Sequence, residues 1–355
     1  MKKVFVRKIA VLLAMCIMMA GLAACGTEIQ SGQGSSKNED DKLQIGMCFD
    51  SFVIERWQRD RDIFVSMAKE LGAEVNVQNA NGDVEQQKKQ IDYFIKEGMD
   101  VIVIISIDSE ALKDSVKRAK DAGIKIIAYD RLISNANVDL YISFDNEKVG
   151  ELMAETIAKE CGDAGKVIKI CGSPTDSNVH MVEAGFDKVI TEKGYEILDT
   201  FYAEGWRAEL ASDYVYNNME LIMEADAIMC GNDDLASKVV HALSEKRLAG
   251  KKLVVGQDAD LEACQRIVEG TQLSTVYKPI EKLAQQAAEC AVKLAKGDEL
   301  DSENLSTYFD GTYDVPFFRI EPSIVTEKNM NEIIIGTGFH LKEDVYLNVP
   351  AKMPD

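Results

Sequence analysis

The sequence predicts an α/β protein made of two doubly wound parallel-sheet lobes. Three observations carry this prediction. Short, apolar, β-branched runs such as Val101-Ile-Val-Ile-Ile105 and Leu253-Val-Val255 alternate with amphipathic helical stretches. The alternation occurs twice, on either side of about Ser143. No Gly/Pro/Ser-rich linker separates the two series, so strands should pass directly from one lobe to the other.

The first series starts with a strand over 43–49 and a helix over 56–71, which carries Ile63, Met67 and Leu71 on one face. A strand over 74–78, a helix over 84–97 and a strand of five branched residues over 101–105 follow. A helix over 110–122, closed by Gly123, leads to a strand over 125–129. After a strand over 140–144, the second series has helices over 147–160, 178–193, 208–223 and 235–245. Its strands fall at 166–171, 195–202, 227–230 and 252–256. Residues 280–296 read as an amphipathic helix ended by Gly297, residues 298–313 as polar and irregular, and 316–320 as one more strand.

The first 24 residues read as a targeting segment. Lys2, Lys3, Arg7 and Lys8 form a basic start, 9–19 is an apolar run, and Leu22-Ala-Ala-Cys25 has the form of a lipobox that places lipid on Cys25. Residues 26–41 are Gly/Ser-rich and polar, as in a flexible tether. The formal net charge is −20. Such an acidic chain lacks the basic stripe that nucleic-acid binding requires. Of the eight cysteines, none forms a Cys-x-x-Cys pair. Cys48, Cys161, Cys171, Cys230, Cys264 and Cys290 read as small buried hydrophobes instead of zinc ligands or a disulfide framework.

The predicted strands end in polar groups. Asp130 and Arg131 follow 125–129, Asn232 follows 227–230, and Asp258 follows 252–256. Ligands of open parallel sheets sit beyond the carboxyl ends of strands. Such residues also cap the next helix, and a single one reads more readily as a cap. Three together favour a site. The chain's two tryptophans, Trp57 and Trp206, also fall just past strand ends among polar neighbours. With Asn178, these residues offer fixed donors and acceptors beside flat apolar faces. A sugar needs that combination, because its hydroxyls donate and accept around an apolar ring. Catalytic motifs are absent: no Gly-x-Ser-x-Gly, no Walker loop and no His-Glu-x-x-His accompanies the three histidines. Asp130 and Asp258 form a pair that a glycosidase would use, but Arg131 beside Asp130 favours an ionised, binding carboxylate.

The chain resembles the type I periplasmic sugar-binding family, and within it the D-xylose-binding branch of bacterial ABC importers. The resemblance runs from about Lys42 to His340. It rests on Glu55-Arg-Trp-Gln58, Ala128-Tyr-Asp-Arg131, Tyr141-Ile-Ser-Phe-Asp-Asn-Glu-Lys-Val-Gly-Glu151, Gly256-Gln-Asp-Ala-Asp260 and Thr275-Val-Tyr-Lys-Pro279. It implies two lobes joined by three crossing segments, near Ser143, Lys278 and Tyr313, that close on a monosaccharide. The lobes would comprise 42–143 with 279–312, and 144–278 with 313–345. Carried over by motif, Arg56, Trp57, Asp130 and Arg131 would bind from the first lobe, and Asn178, Trp206, Asn232 and Asp258 from the second. Lys278 occupies a position where ribose-type relatives carry glutamine and the xylose type lysine, so D-xylose is the implied ligand. The resemblance further implies a monomer, held at the membrane through Cys25, that delivers its sugar to an ABC permease without metal or cofactor. Another pyranose or ribose, with a role in sugar sensing, is the alternative ligand reading. A secreted glycoside hydrolase is the alternative enzyme reading. A sugar-responsive repressor would share the fold, but its DNA-binding headpiece would have to stand where the leader is.

Overall fold

The computed structural model describes residues 42–162, 164–301 and 305–354. The expected leader, Cys25 and the tether lie outside the described residues.

The chain begins β1 (Leu43–Phe49), α1 (Arg56–Glu70), β2 (Ala73–Asn79), α2 (Val84–Glu97), β3 (Val101–Ile104), α3 (Lys113–Asp121), β4 (Lys125–Tyr129) and β5 (Leu140–Phe144). A second series follows: α4 (Asn146–Cys161), β6 (Lys166–Cys171), α5 (Ser177–Glu192), β7 (Glu196–Tyr202), α6 (Glu209–Asn217), α7 (Met219–Glu224), β8 (Ala227–Cys230), α8 (Asp233–Glu245), β9 (Leu253–Gln257), α9 (Leu261–Glu269) and β10 (Ser274–Tyr277). The chain then returns through α10 (Ile280–Lys296), β11 (Leu305–Phe309) and β12 (Asp314–Ile320), and ends with β13 (Ser323–Val325) and α11 (Lys342–Val345).

Two sheets result, ordered β2-β1-β3-β4-β5-β12-β11 and β7-β6-β8-β9-β10-β13. Pairing is parallel except at β11–β12 and β10–β13. The inner strands are short and buried on both faces. All four residues of β3, Val-Ile-Val-Ile, are inaccessible. Helices complete the burial. The alanine stripe of α10, with Ala284, Ala287, Ala288 and Ala291 buried, lets that helix lie close against α1. In each sheet the order of the first five strands reverses beside its first strand, at β1/β3 and at β6/β8. Those switch points are where an open parallel sheet offers a crevice.

The chain passes between the sheets after β5, after β10 and after β12. The last passage corrects the boundary expected near Tyr313. β12 pairs with β5 in the first sheet, so the chain crosses only beyond Ile320. The stretch expected to be irregular holds β11, whose residues are half to fully exposed. It is an edge strand, and Ser306-Thr307 interrupt its apolar residues, so no continuous apolar run marks it. The Asp310 carboxylate fixes the hairpin by accepting the Thr312 and Tyr313 N–H groups at 2.9 and 2.7 Å. Two helices also differ from expectation. The one expected from 110 starts at Lys113, and the one expected over 208–223 breaks at Asn218. Five of the six cysteines are buried as expected, whereas Cys161, at the end of α4, is exposed.

Candidate functional site

Loops at the carboxyl ends of both sheets converge on one small, closely walled cavity. Its first-sheet wall is Ile54, Arg56, Trp57, Asp130 and Arg131. The second-sheet wall is Asp176, Asn178, Trp206, Gln257 and Asp258. Asn146 and Lys278, from two of the crossings, complete it. A larger, more open groove, lined in part by Glu155, Lys159, Lys252 and Asn329, lies at the opposite end of β9. It faces the amino ends of strands and gathers no buried charge, so the smaller cavity is the functional candidate.

Short loops set each side chain. β1 ends at Phe49, and after a six-residue loop α1 begins with Arg56 and Trp57, the Trp57 N–H bonded to the Ile54 carbonyl at 3.2 Å. Past β4, Asp130 takes a φ of 65°, and past β9, Asp258 takes a φ of 100°. Trp206 has a φ of 58°. Left-handed backbone is uncommon for such residues and is held only where surrounding contacts impose it. The Asp130 and Asp258 N–H groups are tied to the carbonyls of Ile142 and Val276, at 2.8 and 2.9 Å, which aims both carboxylates inward.

The charges interlock. Arg56 reaches Asp130 at 2.7 Å, Asp60 at 3.2 Å and Asp258, on the opposite wall, at 3.8 Å. Lys278 Nζ pairs with Asp258 Oδ1 at 2.6 Å. Arg131 spans Asp50 at 2.7 Å and Asp176 at 2.6 Å. Asn178 donates to Asp130 Oδ1 at 2.8 Å and accepts from Asn146 at 3.0 Å. The Trp206 indole N–H donates to Asp176 at 3.1 Å. Burial pushes the Asp130 carboxyl up, but the nearby Arg56, Lys278 and Arg131 cations outweigh it, so its pKa is held below the usual carboxylate value. Arg56 is the nearest of the three, where the sequence pointed to Arg131. Asp50, Asp60 and Asp176 move the other way, because burial exceeds the effect of their arginine partners.

Eight of the nine residues expected from the sequence line this cavity; Asn232 does not. Its Oδ1 accepts the Leu235 N–H at 2.9 Å and caps α8, the use that competes with ligand binding for any Asn at a strand end. Both tryptophans belong to the hydrophobic core as well as to the wall. Trp57 is 1% exposed and meets Phe49 edge-on at 6.3 Å. The Arg56 guanidinium lies 4.3 Å above its ring. Sequence reasoning missed Asp176, Asn146 and Gln257. Asp176 stands two residues before Asn178, and Gln257 directly before Asp258, so adjacency was the available signal. Among the described residues, no group of three His, Cys, Asp or Glu side chains is arranged to hold a metal.

Chemically, the cavity offers fixed acceptors, fixed cationic donors and two indoles, all buried. It presents no histidine, and its central acid, Asp130, is held ionised. That suits a neutral ligand rich in hydroxyls.

Residues 45–299 match the family described as "Periplasmic binding protein domain". The chain is 42% identical to the D-xylose-binding periplasmic protein of Haemophilus influenzae, over 88% of this chain and 95% of the relative. It is also 42% identical to the D-xylose-binding periplasmic protein of Escherichia coli, over 86% and 93% of the respective chains. Among solved structures, it is similar to an ABC transporter solute-binding protein from Clostridium phytofermentans with bound β-D-glucose, at 27% identity and a TM-score of 0.77. That likeness covers 85% of this chain and 99% of the other.

Proposed function

Because the chain belongs to the periplasmic binding protein family, and because its charged cavity is walled from both sheets, we propose that it is an extracytoplasmic receptor that captures D-xylose and delivers it to an ABC importer. One observation carries the reading: ligand-type groups are divided between two bodies linked by three short crossings. A sugar held by Arg56, Trp57 and Asp130 on one side and by Asn178, Trp206 and Asp258 on the other stabilises the closed arrangement by its added contacts there. Lys278, in the second crossing, couples that closure to the hinge. D-xylose is favoured among sugars by the two relatives and by lysine at position 278.

Isothermal titration calorimetry against D-xylose, D-ribose, D-glucose and D-allose tests this. Roughly micromolar or tighter binding, about −8 kcal/mol or more favourable, is expected for D-xylose and weaker binding for the others. No heat with any monosaccharide would overturn the receptor reading, and stronger binding of another sugar would overturn xylose. An ionised, arginine-bound Asp130 is a poor proton donor, which supports binding over glycoside hydrolysis. Turnover of xylosides would reverse that preference.

The leader pattern supports a lipid anchor on Cys25, with 26–41 as the tether to a monomeric receptor. Cys25→Ser is expected to abolish fatty-acid labelling and free the protein from membranes. A labelled, membrane-bound variant would contradict the anchor.

A further inference from the structure

We propose that Gln257 is a further sugar-contacting residue, its amide oxygen accepting a hydrogen bond from one ligand hydroxyl. The inference rests on the sugar-binding reading. Gln257 is the last residue of β9, held in register opposite Val276, and is 5% exposed. Its Nε2 donates to the Gly231 carbonyl, which fixes the amide's orientation. The other end of the amide is therefore the oxygen. That oxygen is buried and has no hydrogen-bond partner among the described residues. Gln257 lines the candidate cavity and also a small, mostly apolar space bounded by Val179, Val182, Trp206, Met229 and Asn178, whose amide N–H groups are given to Asp130. A buried amide oxygen without a donor is costly, and apolar walls supply none. A sugar hydroxyl does. The second-sheet amide that the sequence assigned to Asn232 thus reaches the wall at Gln257, because Asn232 spends its oxygen on capping α8.

The test is a calorimetric cycle with D-xylose and its 1-, 2-, 3- and 4-deoxy analogues on the wild type, Gln257→Met and Gln257→Glu. Met preserves length but removes the acceptor. Glu keeps an acceptor and removes the donor to Gly231. In Gln257→Met, D-xylose is expected to bind roughly five- to tenfold more weakly. One deoxy analogue should bind this variant and the wild type alike, because the hydroxyl it lacks is the one Gln257 accepts. In Gln257→Glu, the penalty for that same missing hydroxyl should persist or grow. Unchanged D-xylose affinity in Gln257→Met, or an equal loss across all five sugars, would overturn the proposal and leave Gln257 only as a clip on Gly231. Should Gln257→Met fail to fold, a wild type and Gln257→Glu that share no hydroxyl-specific penalty would overturn it as well. If the wild type binds a different sugar, the cycle is run on that sugar's deoxy series. A wild type that binds none of them removes the receptor reading and this inference together, whereas normal wild-type binding with a null cycle removes only the inference.

Discussion

Arg131 is held between two carboxylates that burial alone would drive toward protonation, Asp50 and Asp176. Removing it strands both, and breaking a buried ion pair costs about 3–5 kcal/mol. Arg131→Ala should therefore lose stability of that order as well as sugar affinity. Urea unfolding measures the first and calorimetry the second, and an unchanged unfolding midpoint would show that the two acids do not need it. Trp57 combines roles in the same way. It is fully buried in the core cluster, so Trp57→Ala should cost about 3–5 kcal/mol in addition to weakening binding. Sequence could identify these residues as site candidates, since type and position past a strand are readable. It could not tell which acid each arginine holds, because partners such as Asp50 and Asp176 come from loops far apart in the chain.

At the scale of elements, the buried strands were legible and the exposed edge was not. β1, β4, β6 and β8 are apolar runs with polar ends, and the chain can hardly use such runs otherwise. β11 carries Ser306 and Thr307 to solvent between Leu305 and Tyr308, so no apolar run marks it as a strand. Asn232 shows the same limit at a loop: its oxygen caps α8, and only the fold shows that it does not line the cavity. The loop after β6 makes a sharper prediction. A Cβ on Gly172 would lie 2.3 Å from the Trp206 ring, so the indole rests directly on this backbone. Gly172→Ala must displace the ring. Sugar affinity should fall at least roughly tenfold, with a shifted indole emission. Wild-type affinity in the variant would show that the Trp206 ring position does not matter to the ligand.

At the scale of the whole molecule, the C-terminal segment straps one body to the other. Arg59 of α1 donates to the Phe339 carbonyl at 3.2 Å and lies 4.3 Å above its ring, while Phe339 packs edge-on against Tyr277 at 4.9 Å. His340 Nε2 sits 2.8 Å from the carbonyl of Ala259, next to Asp258. Burial lowers the His340 pKa, against the opposing pull of the Ala259 carbonyl; Arg59 also lowers it, while Glu55 and Asp344 raise it. With the native value below the unfolded one, the unfolded chain binds the extra proton first. His340 therefore contributes stability above about pH 6.5 that is lost as pH falls through its lower native pKa. Between about pH 8 and pH 5 the wild type should lose more melting temperature than His340→Gln, which keeps a donor and does not titrate. Equal losses would mean that the imidazole does not sense the strap. The claim on which all of this depends is that the sugar sits between the two sheets, and a crystal structure grown with D-xylose tests it most directly. One pyranose is expected in the cavity against Trp57 and Trp206, contacted by Arg56 and Asp130 from the first sheet and by Asn178 and Asp258 from the second. Sugar bound in the groove at Lys159, Lys252 and Asn329, with the cavity empty at saturation, would contradict it.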